Sequence, residues 1–365
     1  MTSAIARLND FGQSPWYDNL ARPLLTGGGL AKLVADDGIR GVTSNPTILD
    51  KAIGAGEGYD EQLAACAKDG LSIEDTYWAV VLDDIVAATD VLRPVFDAHH
   101  GGDGFVSVEV APTLAHDTTG TIAAARSLHS RVDRPNAMIK IPATLAGIPA
   151  IEETIAAGIT VNVTLIFSLD RHAKVIEAYL TGLERLAASG GDLSTVASVA
   201  SFFVSRVDTE TDRRLPEGSP LRGLAAVANA KLAYELFRQE FSGPRWEALA
   251  AIGARLQRPL WASTSTKNPA YAPTLYVDEL IGPDTVNTLA PASIEALQQG
   301  EGNQRPDTVT EGVAAAHQAM TDLAAAGVDI DDVTDVLERE GVDSFAASFT
   351  DAFGTIEKRR AEVTG

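Results

Sequence analysis

A lysine stands in an apolar run at residues 136–143, NAMIKIPA, with Ala137, Met138, Ile139, Ile141 and Pro142 around it. The run is too short before Pro142 for a useful helix and reads as a strand. Of the eight lysines in the chain, Lys140 alone is set in such a segment. A buried ammonium must be paired or must give up its proton, and both states are the raw material of chemistry. Alternation places Met138, Lys140 and Pro142 on one face, with Ile139 and Ile141 on the other. Two carboxylates complete a pattern. In FVSVEV (105–110) the valines share one face and Ser107 with Glu109 the other, so Glu109 is an interior carboxylate; WYDNL sets Asp18 in a strand beside aromatics. Singly, each carboxylate suits a structural ion pair equally well. One interior amine and two interior carboxylates on three strands match amine catalysis, in which a neutral lysine attacks a ketone and carboxylates move the protons.

Amides, hydroxyls and cations gather near other strand ends. GVTSNP (41–46) offers Thr43, Ser44 and Asn45 before a helix-starting Pro46, and VNVTLIFS (161–168) carries Asn162 and Thr164 at alternate positions. Such groups donate and accept, which suits a polyhydroxylated ligand, whereas Ser44 and Ser168 read as ordinary turn and cap residues. SFFVSR (201–206) and STSTKN (263–268) each combine hydroxyls, Ser201 and Ser263 among them, with one cation, Arg206 or Lys267. A phosphate held by backbone N–H groups and a basic side chain is the chemistry this suggests. TGGGL (26–30) lacks the spacing of a nucleotide fingerprint and reads as a turn. The histidines, His99, His100 and His116 included, form no spaced ligand pair, so no metal is expected, and Cys66 in EQLAACAKDG has no partner motif.

The elements that must position these groups are eight strands. They are SPWYDNL (14–20), GIRGVTSN (38–45), FVSVEV (105–110), NAMIKIPA (136–143), ITVNVTLIF (159–167), STVASVASFFV (194–204), RPLWAST (258–264) and TVNTLAP (285–291). Helical stretches rich in Ala, Leu and Glu separate most neighbours, such as residues 74–100, 113–131 and 168–189. A doubly wound sheet gives the same alternation with five or six strands; the eighth favours a (β/α)8 TIM barrel, with its site at the C-terminal ends of the strands. The expectation is one domain over residues 1–365: a barrel core of about 14–292 and helices at about 307–363 packed outside it.

Composition limits the partners. With 50 acidic and 29 basic side chains the formal charge is −21, a field that repels nucleic acid and anionic membranes. A local basic pocket overrides that field at contact distance, so phosphorylated metabolites stay open. A single cysteine excludes an intrachain disulfide, no signal segment opens the chain, and no apolar run approaches the roughly 20 residues that span a bilayer. The cytoplasm is the expected compartment, and both monomer and homodimer stay open.

The blocks GVTSNPTIL, VSVEV, MIKIPAT, GITVNVTLIFS, ASFFVSRVDTETD, WASTSTKNP and TLYVDELIGPDTVNTLAP occur in one order between about residues 14 and 292. In this ordered set the sequence resembles the transaldolase family, and its length and WASTSTKNP block are most similar to the branch of actinobacteria and some other bacteria. The resemblance implies a (β/α)8 barrel that passes a dihydroxyacetone unit from a ketose phosphate to an aldose phosphate, with phosphorylated sugars as partners and no cofactor. It implies Lys140 as the Schiff-base lysine, Glu109 as a proton shuttle through a water held with Thr164, and Asp18 as the acid/base at the donor C4 hydroxyl. Asn45 and Asn162 would bind the hydroxyls of the three-carbon unit, Ser201 with Arg206 and Lys267 would reach toward hydroxyl and phosphate, and Thr43 and Ser263 would complete the substrate-binding set. Two rivals stand beside this resemblance: a fructose 6-phosphate-type aldolase with the same lysine, and a non-catalytic phosphosugar-binding protein, which would have no reason to keep Lys140 in a strand.

Overall fold

The structure is a computed structural model that describes residues 3–364. Eight strands close into one parallel barrel: β1 (Gln13–Tyr17), β2 (Gly41–Thr43), β3 (Phe105–Glu109), β4 (Ala137–Pro142), β5 (Val161–Ile166), β6 (Ser198–Phe203), β7 (Gln257–Ala262) and β8 (Thr285–Leu289). Each pairs with its neighbour in sequence, and β8 pairs with β1. Helices lie between the strands, so the expected (β/α)8 architecture is the one observed. Every residue of β3, β4, β5 and β6 is buried. That is the pattern of strands covered on one side by helices and on the other by the barrel interior.

Register sets the site. Glu109 on β3 pairs with Lys140 on β4, and Lys140 pairs with Asn162 on β5. Three polar residues therefore meet at one level inside the barrel, as alternation on each strand requires.

Several strands end sooner than their sequence patterns suggest. Asp18 is the first residue beyond β1, not a strand residue; its N–H donates to the Leu289 carbonyl at 3.0 Å. Residues 44 and 45 likewise leave β2, because Asn45 caps the helix Pro46–Ala55 by accepting from the Ile48 N–H. Residues 193–195 form a short 3-10 turn ahead of β6 rather than strand. Polar residues at strand ends serve the following turn and helix, which alternation alone does not reveal. Ser168 acts as the expected cap, accepting from Arg171 N–H, and residues 27–28 form a turn between two helices.

The C-terminal helices divide. Val313–Ala325 packs outside, on the helix Ala225–Glu240. Against expectation, the 35-residue helix Ile330–Thr364 crosses the mouth of the barrel. Its buried stripe of Val342, Phe345, Phe349, Ala352 and Ile356 lands on the Pro46 helix and on Ile73–Ala98, where Phe349 meets Tyr77 edge-on at 4.9 Å. The Ser348 and Thr47 hydroxyls share a hydrogen bond of 2.7 Å, and Arg359 pairs with Asp60. Close approach over β5 needs Gly341, where a Cβ would stand 3.0 Å from the Leu165 side chain. Leu165 itself bulges out of register with a left-handed φ of 59°. Among the described residues, no helix is long and apolar enough to cross a membrane.

Candidate active site

Lys140 lies at the floor of a cavity of about 400 Å³ at the C-terminal ends of the strands. Its side chain is 7% exposed; Nζ donates to Glu109 Oε2 at 3.0 Å and to the Ser44 carbonyl at 3.4 Å. Phe345 of the C-terminal helix covers the amine, with its ring centroid 5.3 Å from Nζ. Burial pushes the Glu109 carboxyl above the usual carboxylate range, and the Lys140 charge opposes that rise. A carboxyl so displaced, in contact with an amine, is suited to take the amine proton and return it.

Around this pair the hydroxyls and amides fall in two groups. Asp18 and Thr43 sit together on one wall, Thr43 donating to Asp18 Oδ1 at 2.6 Å. On the other side Ser201 donates to Asn162 Oδ1 at 2.7 Å, while Asn162 donates to Ser107 at 2.9 Å. Thr164 Oγ1 is buried with no protein partner, the condition in which a hydroxyl can hold a water. Asn45 caps its helix through Oδ1 and lines the cavity.

The two cations named from the sequence stand at the rim. Arg206 opens the helix Ser205–Arg214, and Lys267 lies on the connection after β7. Burial lowers the pKa of both, Arg206 further lowers that of Lys267, and both side chains line the same cavity. Among the described residues, neither forms a salt bridge, which leaves a paired cationic rim in a strongly acidic protein. Such a rim is an anion seat.

Most residues named from sequence line this one cavity: Asp18, Thr43, Asn45, Lys140, Thr164, Ser201, Arg206, Ser263 and Lys267. Two do not. Asn162 is fully buried and is joined to the cavity through Ser201, whose hydroxyl donates to its Oδ1. Glu109 opens on a smaller space behind the floor, shared with Tyr77, Asp84 and Phe349. Sequence reasoning missed Lys51 and Thr47 on the Pro46 helix, Phe203, Thr288, and above all Ser344 and Phe345. The i, i+4 stripe of Phe345, Phe349 and Phe353 was a readable signal for an apolar helix face, but not for what the face would cover. Among the described residues, no group of three or more His, Cys, Asp or Glu side chains gathers as a metal site.

Residues 15–356 match the family model described as Transaldolase/Fructose-6-phosphate aldolase. The chain is 52% identical over 363 residues to the protein named Transaldolase 1 of Streptomyces coelicolor, covering 97% of this chain and 94% of that one. It is 53% identical over 355 residues to Transaldolase 1 of Streptomyces avermitilis, covering 95% and 93%. Identity to the Transaldolase of Acidothermus cellulolyticus is 51% over 362 residues, covering 98% and 97%.

Proposed function

The chain belongs to the transaldolase/fructose-6-phosphate aldolase family, and we propose that Lys140 carries its reaction as a Schiff base. The reaction is that of a transaldolase: a dihydroxyacetone unit passes from a ketose phosphate to an aldose phosphate, in the pentose phosphate pathway. The observation that carries the lysine's role is its contact with Glu109, 3.0 Å away at the floor of a cavity that Arg206 and Lys267 also line.

The geometry supports the following steps. The Lys140 ammonium passes a proton to Glu109, and the free amine adds to the ketose C2. The resulting carbinolamine hydroxyl leaves as water, taking the proton back from Glu109 through a water at the vacant Thr164 hydroxyl. The product is an iminium, an electron sink. Asp18, held by Thr43, then accepts the C4 hydroxyl proton. The C3–C4 bond breaks toward the iminium, leaving an enamine on Lys140 and releasing an aldose phosphate. The enamine carbon attacks the aldehyde of a second aldose phosphate, and Asp18 returns its proton to the new hydroxyl. Water hydrolyses the iminium and frees the product. No step requires an oxidant or a cofactor.

Arg206 and Lys267 hold the phosphate of donor and acceptor alike, Ser201, Ser263 and Asn45 meet sugar hydroxyls, and Asn162 orients Ser201. Phosphorylated sugars are the partners on this reading, and the cytoplasm, where they are held, is its compartment. The test is borohydride reduction in the presence of fructose 6-phosphate. A three-carbon adduct on Lys140 is expected, and labelling on any other lysine overturns the assignment.

A further inference from the structure

Lys267 lies on the 22-residue connection from Ser263 to Asp284, whose only regular element is the short helix Leu275–Asp278. Arg206, by contrast, begins a helix that extends directly from β6. Two like charges this close repel when no phosphate lies between them, so something must keep the connection in place. The same helix carries three buried carboxylates: Glu210 pairs with Arg213 and Arg214, whereas Asp208 and Asp212, 1% and 6% exposed, share a face one turn apart. Among the described residues, neither pairs with a cation. Their partners are neutral. Asp208 accepts from the Tyr276 hydroxyl and from the Ala226 N–H, each at 2.8 Å; Asp212 accepts from the Tyr271 hydroxyl and, at 2.9 Å, from the Gly223 N–H. Both tyrosines belong to the connection that bears Lys267.

The attachment is two-sided. Ahead of Lys267, the Ser205 N–H donates to the Ser263 carbonyl at 3.1 Å, and the two hydroxyls share a hydrogen bond of 3.0 Å. After it, Tyr271 docks on Asp212, its ring seated against Gly223, where a Cβ would approach to 2.8 Å. Ser263 takes a left-handed φ of 57°, so the chain turns sharply at the first anchor. A buried carboxylate without a cation is costly, and here the hydrogen bonds from the two tyrosines and two backbone N–H groups offset that cost.

We propose that Asp208 and Asp212 are positioning residues for phosphate binding: through Tyr276 and Tyr271 they pin the Lys267 connection to the helix of Arg206, so that both cations are in place before a ligand arrives. The proposal rests on the reading of Arg206 and Lys267 as the phosphate seat. Pre-organisation of this kind raises affinity by the fraction of molecules already competent to bind. Without the hydroxyls the connection opens, and apparent affinity falls by that fraction.

The test uses full-length Tyr271→Phe and Tyr276→Phe, with Arg206→Ala as reference. Three quantities are read: KM for fructose 6-phosphate, the inhibition constant of inorganic phosphate, and the rate at which borohydride fixes unphosphorylated dihydroxyacetone on Lys140. Each Tyr→Phe variant should raise the first two by about tenfold, as for a connection competent about a tenth of the time, and leave the third unchanged. A general loosening of the fold would slow dihydroxyacetone fixation as well. Phosphate inhibition and KM within twofold of the parent protein in Tyr271→Phe, or equal losses with and without phosphate, would overturn the proposal. If Tyr276→Phe, at the more buried of the two positions, does not fold, Tyr271→Phe decides alone. An unaltered phosphate response in Arg206→Ala would instead remove the underlying phosphate reading, and absence of any dihydroxyacetone adduct in the parent protein would remove the Schiff base.

Discussion

Replacing Lys140 by methionine removes the amine while filling similar volume, and its effect on stability can be worked from the structure. Glu109 is 8% exposed, and the only counter-charge within salt-bridge distance of it among the described residues is the Lys140 ammonium. Burial already raises the Glu109 pKa; Lys140 is the largest influence holding it down. In Lys140→Met the carboxyl rises further and folds most easily when protonated. The sign follows: a folded pKa above the unfolded value of about 4.3 gives stability that is present below that value and is lost as pH rises through the folded pKa. Each unit of pH in that window removes about 1.4 kcal/mol. Between pH 5 and pH 7, Lys140→Met should therefore lose up to about 2.7 kcal/mol more than Lys140→Met/Glu109→Gln, which has no carboxyl to ionise. At the upper end this approaches the 3–5 kcal/mol typical of a broken buried pair. Urea unfolding of both variants at several pH values measures the difference directly. A difference that does not change with pH would refute the argument, since it would mean that Glu109 reaches water or another cation once Lys140 is gone. Both variants should lack turnover altogether.

Two further outcomes follow from the same structure. The Asp208 carboxyl is raised to about 6 by burial, and the fully buried His172, whose ring nitrogens have no partner, is lowered to about 4 by burial. Asp208 thus contributes stability that fades as pH rises from about 4 to 6, whereas that of His172 fades as pH falls from 6.5 toward 4; thermal melts should show Asp208→Asn losing more stability on acidification than the parent, and His172→Leu losing less. In the functional assay, fructose 6-phosphate alone should release dihydroxyacetone far more slowly than sedoheptulose 7-phosphate forms once erythrose 4-phosphate is added; equal rates would identify a simple aldolase.

Period-2 alternation was enough to find all eight strands and to turn Lys140 and Glu109 inward, because the facing of a side chain along a strand is a local property of the backbone. The same local rule explains its errors. Asp18, Ser44 and Asn45 continue a strand-like pattern, yet the chain has already left the sheet to make the turn into the next helix. The cations were legible as types, and the resemblance set both at the phosphate; residue patterns alone did not bring them together, since Arg206 and Lys267 meet only when β6 and β7 lie side by side. ASFFVSRVDTETD and TLYVDELIGP could be quoted as blocks without any hint that Asp208 of one holds Tyr276 of the other. The C-terminal helix is the largest difference. Its apolar stripe can be read from the sequence, but a stripe can bury itself against any complementary surface. Only the closed barrel, with the Pro46 helix and Ile73–Ala98 standing at its rim, offers the groove that lays Phe345 over Lys140. The sequence by itself determined which residues could do chemistry and which way the strands turn them; the tertiary structure decided which groups share a wall, because burial and charge act between residues that only packing brings together.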